Sequence, residues 1–159
     1  MRKDSARSAL DETDLRILRV LQKRGRISNA DLAEAAHLSA SACHRRVHRL
    51  EAEGYISGYV ALLDHRKFRL PTTVIVEITL SGQSDEVLDA FETAVRRVPD
   101  VLECHLMAGS ADYLLKVVAE DTEDFARIHR QYLTRLPNVT QMQSSFALRT
   151  VFSTTALPV

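Results

Sequence analysis

Much of what this chain can be is narrowed by what it lacks. No apolar run approaches the roughly 20 residues that a membrane-spanning helix needs. There are two cysteines, Cys43 and Cys104. They stand far apart and form no metal-type pair, which fits a reduced, cytosolic setting better than a disulfide framework. Met1 to Arg7 is charged, and no apolar stretch follows it. A secretory signal is therefore not expected. Net charge is absent too, with 21 Lys+Arg against 21 Asp+Glu. That zero conceals an asymmetry. Residues 1–70 hold 14 Lys+Arg against 9 Asp+Glu, or +5, and residues 71–159 hold 7 against 12, or −5. One half is suited to a polyanion and the other is not. A chain of 159 residues, 45% of them apolar, suits one medium domain or two small ones.

The basic half reads as three short helices. Asp11 is a capping residue with Asp14 at the third helical position, and Leu10 can staple onto Leu15. Leu15, Ile17, Leu18 and Leu21 form the apolar stripe of this helix, and Gly25 ends it. Ser28, with Asp31 three residues on, starts a second helix whose slim face is Leu32, Ala33 and Ala36. His37 follows, at a turn that wants a left-handed residue. Ser39 caps the third helix, which Gly54 stops, and Tyr55 to Leu63 reads as a short wing leading into a connecting strand. Steps of 100° place Cys43, Val47 and Leu50 of the third helix toward the core. Ser41, Arg45 and His48 fall on the opposite side, flanked by His44 and Arg49, with Arg46 nearer the buried edge. Two helices joined by a three-residue turn, the second rich in arginine, match the helix-turn-helix plan. Arg45 and Arg49 suit phosphate or the O6/N7 edge of guanine, and Ser41 can donate to phosphate near a helix N-terminus. The expected DNA-facing set is Ser28, Asn29, Ser39, Ser41, His44, Arg45, Arg46, His48 and Arg49. The bland alternative is a solvated charged face. His44 and His48 also have a metal-ligand spacing, but no neighbouring Cys or carboxylate is well placed to complete such a site, so no metal is expected.

From Thr72 the pattern changes. Thr72–Leu80, Val101–Met107, Tyr113–Ala119 and a long Val139–Phe152 read as strands. Val87, Leu88, Phe91, Val95 and Val98 recur at helical spacing and are closed by Pro99. Thr122 caps a helix whose face is Phe125, Ile128, Tyr132 and Leu136. The order βαββαβ is the ferredoxin-like split arrangement, giving an α+β chain with a winged helix-turn-helix ahead of it. Both helices then cover one face of a four-stranded antiparallel sheet. Residues 113–119 are apolar on nearly both sides, unlike a half-exposed strand. A homodimer packed sheet to sheet would bury the second face; simple excess hydrophobicity is the alternative. The expected organisation is a flexible tail at 1–9, a DNA-binding domain at 10–58, a hinge strand at 59–71, an effector and oligomerisation domain at 72–152 and a tail at 153–159.

Three stretches, in this order, resemble the Lrp/AsnC family of transcription regulators across about residues 10–152. Residues 10–59, "LDETDLRILRVLQKRGRISNADLAEAAHLSASACHRRVHRLEAEGYISGY", resemble its DNA-binding domain, and 108–117, "AGSADYLLKV", its effector-domain loop and strand. Residues 136–148, "LPNVTQMQSSFAL", resemble the segment after its last helix. The resemblance implies a cytoplasmic, nucleoid-associated regulator of bacterial or archaeal type that binds double-stranded DNA. It implies no cofactor, a small amino-acid effector, and homodimers that assemble to tetramers or octamers. Carried over by position, Gly109, Ser110, Asp112 and Tyr113 match the ligand loop, Ser144 a hydroxyl position on the last strand, and Leu106 and Met107 the same region. The chemistry is reasonable, since a zwitterion needs backbone N–H donors for its carboxylate and an acceptor such as Asp112 for its ammonium. Read as residues alone, the loop is better taken as a hairpin connection in which Gly109 supplies a positive φ and Asp112 bonds its own turn. His37 replaces the family's usual Gly, Ala40 and Ala42 replace frequent prolines, and Ser145 stands where bulkier residues occur, which leaves the effector's identity open.

Two other functions compete. A DNA-bending architectural protein with no metabolite could act through phosphate contacts alone. A sirohaem-decarboxylase-like enzyme shares the same two domains. His105 and His129 would be the plausible catalytic imidazoles of its effector half, but no catalytic residue is expected here.

Overall fold

The computed structural model describes residues 10–159, so the expected N-terminal tail lies outside the described residues. The chain divides into two compact units. One runs to Leu62 and includes Phe152–Val159; the other is Leu63–Val151.

The first unit is built on three capped helices, α1 (Glu12–Leu21), α2 (Asn29–Ala36) and α3 (Ala40–Ala52). The Asp11 side chain accepts from the Asp14 amide and Asp14 accepts from the Asp11 amide, a reciprocal capping box. Ser28 accepts from the Asp31 amide, and Ser39 from that of Ala42. Helix α2 ends in a Schellman pattern, with Leu38 N–H on the Ala33 carbonyl and His37 N–H on that of Glu34. His37 sits at φ 56°, ψ 49°, so the expected left-handed residue is there and it is not glycine. Gly54 (φ 77°) closes α3 in the same way. Ile17, Leu32, Ala33, Ala36, Cys43 and Leu50 form the core. The small alanines of α2 let its neighbours approach closely.

Two details differ from the sequence reading. Helix α1 ends at Leu21, where the Lys23 and Arg24 amides both return to the Val20 carbonyl, so Gly25 comes too late to end it. Tyr55–Leu63 forms no helix or strand, and the connection carries a 3-10 turn (His65–Phe68) instead of a strand. Residues 153–159, expected as a tail, belong to the first unit. Val159 accepts from Arg19 Nε, and Leu157 exchanges bonds with the Gln22 side chain, which ties this segment to α1.

The second unit contains β1 (Thr72–Leu80), α4 (Asp85–Val95), β2 (Val101–Leu106), β3 (Tyr113–Ala119), α5 (Thr122–Gln131) and β4 (Val139–Phe146). The sheet order is β2-β3-β1-β4, antiparallel throughout, as expected of a βαββαβ chain. Alternate residues Val74, Val76 and Ile78 of β1 and Tyr113, Leu115 and Val117 of β3 pack with Phe91, Val95, Phe125 and Ile128, so both helices cover one face. The other face carries Ile75, Leu114 and Val118 with Glu77, Glu103, His105 and Lys116. Asp121, not Thr122, caps α5, and a 3-10 turn (Leu133–Arg135) follows it. Strand β4 stops six residues short of the expected Phe152. Its partner β1 begins at Thr72, after Pro71, and the last rung is Ala147 N–H on the Thr73 carbonyl.

His37 is exposed and pays the steric cost of a left-handed L-residue. His37→Gly is expected to raise the unfolding free energy by up to about 1 kcal/mol, the gain being reduced by the entropy of glycine in the unfolded chain. Urea denaturation measures it; a loss of stability would mean that the imidazole makes a stabilising contact of its own.

Candidate functional site

Two places carry the expected site residues, the outer face of α3 and the β2–β3 connection. On α3, Ser39, Ser41, His44, Arg45 and His48 are exposed, as are Ser28 and Asn29 at the start of α2. Asn29 is already engaged, donating to the Ala40 carbonyl at 2.9 Å and so fixing the start of α3 against α2. Ser39 and Ser41 hydroxyls lie 3.3 Å apart at the α3 N-terminus, where free amides and the helix dipole favour an anion.

The three arginines divide sharply. Arg46 Nη1 donates to Asp11 Oδ2 at 2.7 Å and to Asp14 Oδ1 at 2.8 Å, and Arg49 Nη2 donates to Asp14 Oδ2. Asp14 is 1% exposed. It is therefore a buried carboxylate held by two guanidiniums from another helix. Asp14 beside them pushes the Arg46 and Arg49 pKa values further up. The Asp14 amide, and after it Arg46, hold the Asp11 carboxyl below the ordinary range. Arg49 Nε is buried with no hydrogen-bond partner, although the side chain as a whole stays partly exposed. Arg45 has no side-chain partner among the described residues and stands in solvent between His44 and His48. The sequence reading treated Asp14 as a cap alone. The missed signal was its spacing, since Asp14, Ile17, Leu18 and Leu21 fall at the i, i+3, i+4, i+7 positions of one inward stripe. Leu15 stays half-buried outside the core.

In the second unit, residues 107–112 join β2 to β3. Met107 N–H bonds the Asp112 carbonyl at 2.8 Å, and Asp112 N–H bonds the Ile78 carbonyl at 2.9 Å. The Asp112 carboxylate bonds neither its own turn nor open solvent. Oδ2 accepts from the Leu80 amide and Oδ1 from Gln83 Nε2, both at 2.7 Å. Asp112 thus pins the connection to the end of β1. The Leu80 amide, then Gln83, lowers its pKa. Tyr113 is buried with its ring 4.5 Å from that of Phe91, and its hydroxyl donates to Glu92 Oε1 at 2.8 Å. Burial, then this bond to Glu92, pushes the phenol well up. Gly109 is not at positive φ, contrary to the hairpin expectation. Leu106, Met107, Gly109 and Ser110 are exposed around the connection. Ser144 is half-buried on β4, in register with Val76, so β1 lies between it and β3. Gln83 and Glu92, which the sequence did not single out, are the partners that fix Asp112 and Tyr113.

His105 faces away from the helices, 3.3 Å from Glu103, whereas His129 sits on α5 against Phe125. The two imidazoles lie on opposite sides of the sheet and do not converge. Among the described residues no three His, Cys, Asp or Glu gather as a metal group. No helix among them is long and apolar enough to cross a membrane.

Comparison with known proteins supplies the context. Residues 10–57 match the sequence profile of a winged helix-turn-helix DNA-binding domain, and residues 73–157 that of the Lrp/AsnC ligand binding domain. The chain is similar to the leucine-responsive regulatory protein of Escherichia coli, 40% identical over 142 residues, covering 89% of this chain and 87% of that one. It is 46% identical over 116 residues to a helix-turn-helix transcriptional regulator of Sinorhizobium fredii, covering 73% and 91% of the two chains. Its fold is similar to that of a Neisseria meningitidis transcriptional regulator in complex with L-methionine, with TM-score 0.89, 36% identity, and 94% and 96% of the two chains covered. A feast or famine regulatory protein of M. tuberculosis, complexed with L-methionine, aligns with TM-score 0.80 and 29% identity over 91% and 95% of the chains.

The lowered Asp112 pKa has a measurable consequence. Its contribution to stability is complete above about pH 4, the ordinary aspartate value, and is lost as pH falls through the lower folded value. Asp112→Asn, which keeps the shape but not the charge, is expected to be less stable at pH 7 and to lose less stability between pH 4 and pH 2. Thermal melts across that range check it; equal acid slopes for the two proteins would contradict it.

Proposed function

The chain belongs to the Lrp/AsnC family, and from that premise we propose that α3 reads duplex DNA through Arg45 and that an amino acid bound by the second unit tunes the reading. Membership makes it a DNA-binding transcriptional regulator with a helix-turn-helix unit; the residues and the effector are the proposal. One observation carries it. Arg45 is the arginine of α3 left unpaired and outward, while Arg46 and Arg49 are held on Asp14. An outward guanidinium near the middle of a recognition helix can bond guanine O6 and N7 together. His44 and His48 flank it, and Ser39 and Ser41 can donate to a phosphate at the helix start. Asn29 and Ser28 position this helix pair more than they offer free donors.

The effector reading rests on the relatives seen with L-methionine and on the β2–β3 connection. Its outer residues Met107, Gly109 and Ser110 are open, so backbone amides and the Ser110 hydroxyl can receive a carboxylate. Asp112 is tied by one bond on each oxygen. Its remaining lone pairs can take an ammonium, while Tyr113 serves as frame. Leu106 borders this region at the end of β2, whereas Ser144, on β4 beyond β1, stands apart from it. The helix-free sheet face, with Ile75, Leu114 and Val118, supports a homodimer packed sheet to sheet, which further pairing would raise to tetramers or octamers. Such a regulator acts in the cytoplasm, on the nucleoid.

Arg45→Ala is expected to cost about 1–3 kcal/mol of binding at particular base positions and to relax specificity there. Binding competition over single-base operator variants measures this; equal weakening on every sequence would reduce Arg45 to a phosphate contact. An amino acid at 100 times its dissociation constant should stabilise the folded chain by about 2.7 kcal/mol. Thermal unfolding with L-methionine, L-leucine and the other common amino acids checks this. A flat response to all of them would favour the ligand-free architectural role.

A further inference from the structure

We infer that Asp14 is a specificity-determining positioning residue, because it holds Arg46 and Arg49 away from the phosphate backbone and leaves Arg45 to meet the DNA. The inference rests on the reading of α3 given above. Helix α3 carries three guanidiniums within five residues, Arg45, Arg46 and Arg49. Presented together, they would bind any duplex. Each neutralised phosphate releases counterion and adds sequence-independent affinity, whereas regulation depends on the ratio of specific to non-specific binding. A device that removes cations from the outer face without removing the base-reading side chain improves that ratio.

Asp14 has the geometry of such a device. Both carboxylate oxygens are used from the α3 side, Oδ1 by Arg46 Nη1 and Oδ2 by Arg49 Nη2, while Oδ2 also accepts the Asp11 amide. Asp11 adds a second carboxylate on Arg46. The two guanidiniums therefore face two carboxylates, one of them buried. The Arg46 and Arg49 side chains remain 29% and 41% exposed. They are thus close enough to the surface to reach a phosphate if released, so what keeps them back is pairing and not depth. The same bonds span 32 and 35 residues and fasten the reading helix to α1. One carboxylate therefore sets both where α3 lies and how much of its charge is offered.

The test is the salt dependence of binding to a random-sequence duplex, measured on the full chain. For Asp14→Asn the log–log slope of affinity against salt is expected to steepen by about 0.9 for each guanidinium released, up to about two of them, with weaker discrimination between operator and random DNA. Arg46→Gln is expected to leave the wild-type slope unchanged, since Arg46 does not touch phosphate. A slope shallower by about one in Arg46→Gln would overturn the inference, as would an unchanged slope in folded Asp14→Asn. Circular dichroism reports folding; if Asp14→Asn does not fold, Arg46→Gln decides. Arg45→Ala, run alongside, separates the two levels: if it leaves operator binding untouched, the underlying reading of α3 has failed, and if it weakens operator binding while the slopes go the wrong way, only the Asp14 inference has.

Discussion

The first unit is organised around one carboxylate that has lost its water. Asp14 is buried at 1% exposure, and a charge in that position is tolerable only if it is paired and hydrogen-bonded. Its partners are Arg46 and Arg49, so the cost of burying it is met only when α3 lies in one orientation on α1. Two other ties then follow. Arg16 donates to the last carbonyl region of α2 at Ala36, and Asn29 holds the first turn of α3. The outer face of α3 is what remains after these constraints are satisfied. Removing one member of such a buried arrangement typically costs about 3–5 kcal/mol. The partial exposure of both arginines places this case toward the lower end.

The second unit obeys a similar rule with different chemistry. Asp112 again uses both oxygens internally, on the Leu80 amide and Gln83, and Tyr113 uses its hydroxyl on Glu92. Asp112 and Tyr113 therefore shape the connection first, and only the remaining lone pairs of Asp112 are left for a ligand. Around them backbone groups and the Ser110 hydroxyl stay open, which matches the proposed zwitterion.

Local signals were legible at most helix starts and stops of the first unit, though Gly25, Thr122 and Gly109 did not take the parts their types suggest. Asp11, Ser28 and Ser39 cap as their types require, Gly54 ends α3, and His37 takes the left-handed turn. The β-branched and apolar runs at 72–80 and 113–119, taken in the order βαββαβ, were enough to place the strands and to put both helices on one face of the sheet. Legibility failed where a residue has two roles or where the outcome depends on a distant segment. The bond from Arg49 to Asp14 is invisible on a helical wheel, which cannot show a carboxylate on another helix. Strand β4 ends early because its antiparallel partner β1 begins only at Thr72, and nothing in 147–152 itself announces that. Residues 153–159 carry no periodic pattern, yet they bond Arg19 and Gln22 of α1 across about 140 residues of chain.

The central claim is that the side of α3 bearing His44, Arg45 and His48 meets DNA while Arg46 and Arg49 stay with Asp14. Nuclear magnetic resonance of the arginine Nε–H groups, recorded with and without an operator duplex, addresses it side chain by side chain. The account predicts a large shift for Arg45 and nearly unmoved signals for Arg46 and Arg49. Large shifts at Arg46 and Arg49 with Arg45 unmoved would contradict it.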